Sequence, residues 1–210
     1  MIEVEVRGLI DDFEKVLKKF KEHKEAKFIE EKDRFSMIFV RKEHTLEHAL
    51  KRETIKEETI DLRIRVNNKK PEIVLKYGKV KGSEGRKEII IPIHEHDFNK
   101  AVELFKLLEW NKGVTMDNKT FVFIYKGVEF ALVHNRWINY FEAEKIVHEK
   151  EDADKVIREI KSVCKDFNLI PVTEEEFFNL IEVLNSKTER HFDLTKQDLQ
   201  ELKERWKEYF

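Results

Sequence analysis

Ile2-Glu3-Val4-Glu5-Val6-Arg7 stands near the start of the chain, and Leu62-Arg63-Ile64-Arg65-Val66 repeats its alternation further on. Successive side chains of a β-strand point to opposite faces. Ile2, Val4 and Val6 therefore share one face of a strand and Glu3, Glu5 and Arg7 the other. In the second stretch Arg63 and Arg65 are separated in the same way from Leu62, Ile64 and Val66. The apolar face of such a strand packs on a core. Its charged face meets water, or it turns into a polar interior suited to a multiply charged anion and its metal.

Outward from the first strand, at residues 2–8, Asp11 and Asp12 open a helix to about residue 22, with Phe13, Val16, Leu17 and Phe20 at helical spacing. Strands are expected at 27–31 and 35–41 around a turn near Asp33, and at 60–66 and 73–77 around the polar turn Asn67-Asn68-Lys69-Lys70. A short helical piece covers 44–52, a Gly- and Lys-containing loop 78–85, a strand 88–93, and a helix runs from Asp97 to about Trp110. Four more strands are expected at 114–116, 120–125, 128–133 and 140–147, with Lys126-Gly127 as a tight turn. Helices follow at 152–167 and 173–185, the second opened by the capping pair Thr173 and Glu176. A last helix from about Thr195 carries Leu199, Leu202, Trp206 and Phe210, with Leu194 before it. It is expected to pack back on the domain or, failing that, to make a dimer contact. This order predicts an α+β fold whose eight or so antiparallel strands could close into a barrel with a polar interior, flanked by helices. Residues 1–185 form the domain and 186–210 a C-terminal helical extension.

Composition narrows the class. Of 210 residues, 40% are charged, but 41 basic and 43 acidic side chains nearly cancel. Net charge thus gives no general affinity for nucleic acid or an anionic membrane. No apolar stretch approaches the roughly 18 residues of a membrane span, and acids stand where a signal peptide needs bases. A cytoplasmic protein is expected. The single cysteine, Cys164, excludes an internal disulfide and a cysteine-rich zinc site; it lies in a helical pattern as a buried apolar residue. Phe35, Phe39, Phe121, Phe123 and Phe130 alternate along strands and are expected in the core.

If the charged faces converge, Arg63, Arg65, Lys76 and Arg86 line one interior with Glu3, Glu5, Glu88, Glu142 and Glu144. Arginine offers a planar fork that matches phosphate oxygens, and lysine a point charge. Carboxylates are hard ligands suited to Mg²⁺ or Mn²⁺. Arginines for phosphate beside glutamates for metal is the donor set of phosphoryl chemistry. A solvated sheet face is the plain alternative for any one of these strands.

The order Glu3-Val4-Glu5-Val6-Arg7, Asp61-Leu62-Arg63-Ile64-Arg65, Leu75-Lys76-Tyr77-Gly78, Arg86-Lys87-Glu88 and Phe141-Glu142-Ala143-Glu144 resembles the CYTH family of class IV adenylate cyclases, thiamine triphosphatases and inorganic triphosphatases. The resemblance spans about residues 1–185. It implies an eight-stranded antiparallel tunnel that holds a triphosphate on basic side chains, with one or two divalent metals on glutamates. It implies Arg63, Arg65, Lys76, Arg86 and Lys119 for the triphosphate, and Glu3, Glu5, Glu88, Glu142 and Glu144 for Mg²⁺ or Mn²⁺. It implies Glu5 and Arg7 as the catalytic residues. Arg7 replaces the family's lysine, Lys119 alone stands for a Lys-x-Arg pair, and Leu132-Val133 replaces Leu-Asp. The expected activity is metal-dependent hydrolysis of a triphosphate-containing small molecule. A class IV cyclase acting on ATP and a non-catalytic polyphosphate- or nucleotide-binding module are the alternatives.

His44-Thr45-Leu46-Glu47-His48 matches a zinc-protease pattern, but no further ligand accompanies it. His94 and His96 could share a face, with capping or exposure the expected use. Gly78-Lys79-Val80-Lys81-Gly82-Ser83 lacks the ending of a P-loop.

Overall fold

A computed structural model of the chain describes residues 2–57, 60–78, 87–147 and 153–210, with the side chains of 2, 3 and 153 outside that description. Arg86 and most of the Gly- and Lys-containing loop fall outside the described residues, as does the side chain of Glu3. Among the described residues nine strands form one antiparallel sheet: β1 (Ile2–Leu9), β2 (Lys27–Phe39), β3 (Ile60–Asn67), β4 (Lys70–Tyr77), β5 (Lys87–Pro92), β6 (Lys112–Tyr125), β7 (Val128–His134), β8 (Asn139–Val147) and β9 (His191–Asp193). Eight follow one path in the order β1-β8-β7-β6-β2-β3-β4-β5, and β9 pairs with β6 off that path. The helices are α1 (Phe13–Glu22), α2 (Leu46–Ala49), α3 (Arg52–Glu57), α4 (Phe98–Leu107), α5 (Ala153–Cys164), α6 (Glu174–Asn185) and α7 (Leu199–Arg205). The α+β antiparallel architecture is the one the alternating strands predict.

The chain divides into two compact units. One holds the described residues of 1–32 and 118–179; the other holds those of 33–78, 87–117 and 180–210. In the first unit the apolar faces of β1, β6, β7 and β8 bury Val4, Val6, Phe123, Phe130, Phe141 and Ala143 together with α1 and α5. Phe20 of α1 stacks on Phe167 with ring centroids 3.6 Å apart. Cys164 is fully buried in this core, and burial pushes its thiol up to about 12. Gly8 ends the polar stretch of β1 because nothing larger fits: a Cβ there would lie 2.3 Å from the Ile170 carbonyl oxygen. In the second unit Phe35 packs against Trp206, Tyr209 and Phe210, and Phe39 against Phe105 and Phe192. The C-terminal tail therefore packs back, as its amphipathic pattern predicts.

Local chemistry explains the boundaries. Asp12 caps α1 by accepting from the Lys15 backbone N–H at 3.0 Å. The capping box is formed: the Thr173 N–H donates to Glu176 at 2.7 Å, and the Glu176 N–H donates to the Thr173 hydroxyl at 3.2 Å. The β3–β4 and β6–β7 turns have both central residues at positive φ, Asn68 and Lys69 at 48° and 64°, Lys126 and Gly127 at 48° and 72°. That pair of angles matches the right-handed twist of the flanking strands.

Three expectations are corrected. The predicted turn near Asp33 is absent, and β2 runs through it, because Asp33 exchanges two 2.8 Å hydrogen bonds with Asn68 across the sheet. Residues 114–116 and 120–125 are one strand, β6. Its polar centre is tied down by Asn135, which donates to Asn118 at 2.8 Å, and by Lys119, which pairs with Glu31 at 2.8 Å. The last helix is shorter than expected, starting at Leu199 under the Asp198 cap, and the chain before it forms β9.

Candidate functional site

Strand register decides which charged groups meet. In the first unit β1 lies against β8 with Glu5 opposite Glu144 and Arg7 opposite Glu142; β7 places Glu129 on the other side of Glu144. Three glutamates thus form a row across three neighbouring strands, on the sheet face opposite Val4 and Val6. Like charges directly opposite one another repel, so such a row needs cations. Arg7 supplies one. Its Nε lies 2.5 Å from Glu5 and 3.1 Å from Glu142, and a terminal nitrogen donates to Glu5 at 2.7 Å. The guanidinium also sits 4.7 Å from the centre of the Phe177 ring on α6. Burial lowers the Arg7 pKa, but the fields of Glu142 and Glu5 and the hydrogen bond that Arg7 donates to Glu142 outweigh it and raise the pKa above the ordinary arginine value. Arg7 stays charged at any working pH.

In the second unit the turn at Asn68-Lys69 pairs Asn67 with Lys70, which places Arg65 opposite Glu72 and Asp61 opposite Lys76; β5 then sets Glu88 against Lys76. Arg63, Arg65 and Lys76 share one face with Asp61, Glu72 and Glu88. Arg63 donates to Asp61 through Nε and a terminal nitrogen at 2.6 and 2.5 Å. Arg65 is the most enclosed: its Nε is 2.5 Å from Glu72, a terminal nitrogen is 3.6 Å from Glu88, and only 9% of the side chain is exposed. Lys76 lies 3.8 Å from the same Glu88 oxygen.

The expected site residues fall into two groups. Glu5, Arg7, Glu142 and Glu144 come together in the first unit, while Arg63, Arg65, Lys76 and Glu88 do so in the second. Lys119 pairs with Glu31. Arg86 and the Glu3 side chain lie outside the described residues. Val133, where the family resemblance calls for an acid, is 2% exposed and stands between Thr120 and Tyr140 in the sheet.

Asp61, Glu72 and Glu129 are charged partners that sequence reasoning left without a role. A signal for two of them existed. A two-residue turn at Asn68-Lys69 fixes the β3–β4 register, and the register delivers Glu72 to Arg65.

For a divalent cation the donor chemistry fits in type: Glu5, Glu142, Glu144 and Glu129 are hard oxygen ligands on adjacent strands. Among the described residues no three ligating side chains are gathered closely enough to hold a metal. Arg7 engages Glu5 and Glu142 instead. His44 and His48 have ring centroids 4.9 Å apart, as do His94 and His96, and neither pair belongs to a metal-holding cluster. No helix among the described residues is long and apolar enough to cross a membrane.

No family model matches the chain, and no curated protein matches it. Solved structures do. A protein of Pyrococcus horikoshii OT3 superposes with a TM-score of 0.65 at 19% identity, over 88% of this chain and 99% of its own. A candidate adenylate cyclase of Vibrio parahaemolyticus gives 0.59 at 12% identity, over 85% and 98%. A candidate adenylyl cyclase of Hippeastrum with a dominant triphosphatase activity gives 0.55 at 15% identity, over 85% and 95%. The chain has the fold of these proteins. Candidate adenylate cyclases are thus among the structures that share it, in agreement with the resemblance to the CYTH family carried by the motifs.

Proposed function

We propose that the chain binds the triphosphate group of a small molecule, inorganic triphosphate or a nucleoside or thiamine triphosphate, and hydrolyses it with Mg²⁺ or Mn²⁺. The observation that carries this reading is the cation set of β3 and β4. Arg63, Arg65 and Lys76 lie on one face, two of them with guanidinium groups held by carboxylates. The dominant triphosphatase activity of the Hippeastrum neighbour supports the choice of substrate class.

In this reading Arg63, Arg65 and Lys76 neutralise the phosphate oxygens and the charge that develops as water attacks the terminal phosphorus, and Arg86 and Lys119 are assigned the same task by the family resemblance. Glu5 and Glu144, with Glu3 and Glu142, would hold the divalent ion; Glu88 stands with the cations and would help keep Arg65 and Lys76 in position. The ion, when bound, neutralises phosphate charge and lowers the pKa of a water. Arg7, fixed between Glu5 and Glu142, orients the terminal phosphoryl group without changing its own protonation.

A second reading, a binding module without turnover, is favoured by Val133, a buried apolar side chain where the family pattern has a carboxylate. Cyclisation of ATP would use the same binding groups. One experiment separates the three: phosphate, diphosphate and cyclic nucleotide are measured with inorganic triphosphate or ATP, in Mg²⁺ or Mn²⁺, from pH 7 to 10. Phosphate release supports hydrolysis, and cyclic nucleotide with diphosphate supports the cyclase. Affinity without product supports the module. Absence of binding at low salt rejects all three.

A further inference from the structure

Each guanidinium of the β3 face is gripped at Nε. Glu72, directly opposite Arg65 across β3 and β4, contacts that Nε at 2.5 Å, with 15% of its own side chain exposed. Asp61, two residues before Arg63 on the same strand, accepts from its Nε and one terminal nitrogen at 2.6 and 2.5 Å. The Glu72 contact uses none of the terminal N–H groups of Arg65, which are the ones a planar guanidinium aims at a phosphate. An arginine clamped in this way has already given up the rotamer freedom that a loose side chain loses on binding. At 2.5 Å the Glu72 carboxylate is also a nearer counter-charge to the enclosed guanidinium than Glu88 at 3.6 Å.

Resting on the triphosphate-binding reading, we infer that Glu72 and Asp61 are positioning residues: they hold Arg65 and Arg63 in the orientation that receives a phosphate group and do not touch the ligand themselves. The rival role for Glu72 is a competitor that occupies Arg65 and must be displaced. The two roles have opposite signs. Removing a competitor tightens binding; removing a clamp weakens it.

The test uses the full chain and inorganic triphosphate, titrated by calorimetry. Glu72→Ala is expected to weaken affinity about tenfold, and Glu72→Gln, which keeps an oxygen acceptor for Nε, to stay within about threefold of the unsubstituted protein. In an Arg65→Ala background Glu72→Ala should cause no further loss, because the clamp then has nothing to hold. Should Glu72→Ala fail to fold, Glu72→Asp replaces it: the charge remains but is drawn back from Nε, and affinity is still expected to fall. Asp61→Asn is expected to cost less than Asp61→Ala in the same way. A ligand-free measurement accompanies these. The Arg65 Nε–H proton should exchange slowly in the unsubstituted protein and quickly in the Glu72 variants. Tighter or unchanged binding in Glu72→Ala overturns the inference. So does an equal loss in the Arg65→Ala background, or rapid Nε–H exchange in the unsubstituted protein. If the unsubstituted protein shows a slow Nε–H but binds no triphosphate, the triphosphate reading itself fails and the positioning role falls with it.

Discussion

The charged groups of β1 and β8 differ from those of β3, β4 and β5 in how their charge is balanced. Along the first pair and neighbouring β7, Glu5, Glu142, Glu144 and Glu129 lie on one face with Arg7, whose guanidinium engages Glu5 and Glu142. Along the second set, Asp61 holds Arg63, Glu72 holds Arg65, and Glu88 lies between Arg65 and Lys76. The first arrangement gathers, among the described residues, hard oxygen donors of the type a divalent cation takes. The second holds its guanidinium groups on carboxylates, and an anion there is recognised through fitted, charge-assisted hydrogen bonds.

That contrast can be broken most sharply at Arg65. Arg65→Ala strands the enclosed Glu72 carboxylate and is expected to lower stability by about 3–5 kcal/mol. Arg7, whose side chain is a third exposed, should cost only about 1 kcal/mol when replaced by alanine. Urea denaturation of both variants checks the difference; equal losses would mean that the two groups are held alike. Arg63→Ala should weaken triphosphate binding by about 1.5–3 kcal/mol, the range for hydrogen bonds to charged groups and their loss. Calorimetry reads it, and unchanged affinity would remove Arg63 from the site. Gly8→Ala forces a Cβ against the Ile170 carbonyl and should cost about 2 kcal/mol by overpacking, read as a lower denaturation midpoint. Glu144→Gln should raise the Mn²⁺ concentration needed for half-maximal activity about tenfold, or about 1.4 kcal/mol, while leaving metal-free triphosphate binding as it was. An unaltered Mn²⁺ titration would take Glu144 out of the metal role. The smallest effect is expected at Cys164, whose buried thiol, pushed up to about 12, should resist alkylation at pH 8 in the native protein and react at once in urea.

Much of the fold could be read from residues near one another. Period-two alternation found β1, β3 and β8, and the Thr173–Glu176 pair found the start of α6. Local reading failed where a polar stretch borrowed its partners from elsewhere. Asp33 looks like a turn residue until Asn68 pairs with it, and Asp117-Asn118-Lys119 look like a break in a strand until Asn135 donates to Asn118 and Glu31 pairs with Lys119. β9 is too short to announce itself. For the site, residue types and faces were legible but pairing was not. Glu88 reads as a metal ligand from its charge, yet register sets it beside Lys76 and Arg65. Glu72 reads as one acid among many until the β3–β4 turn delivers it to an arginine.

The pairing of β1 with β8, with Ile2 beside Val147, carries a consequence for synthesis. During translation β1 emerges well before its neighbour exists; at roughly 5–20 residues per second the interval is on the order of ten seconds. Throughout that wait a segment of high strand propensity hangs unprotected in a crowded cell. Its alternate acids and arginine, whatever else they do in the finished molecule, make the nascent ribbon a poor template for sticking to another copy of itself.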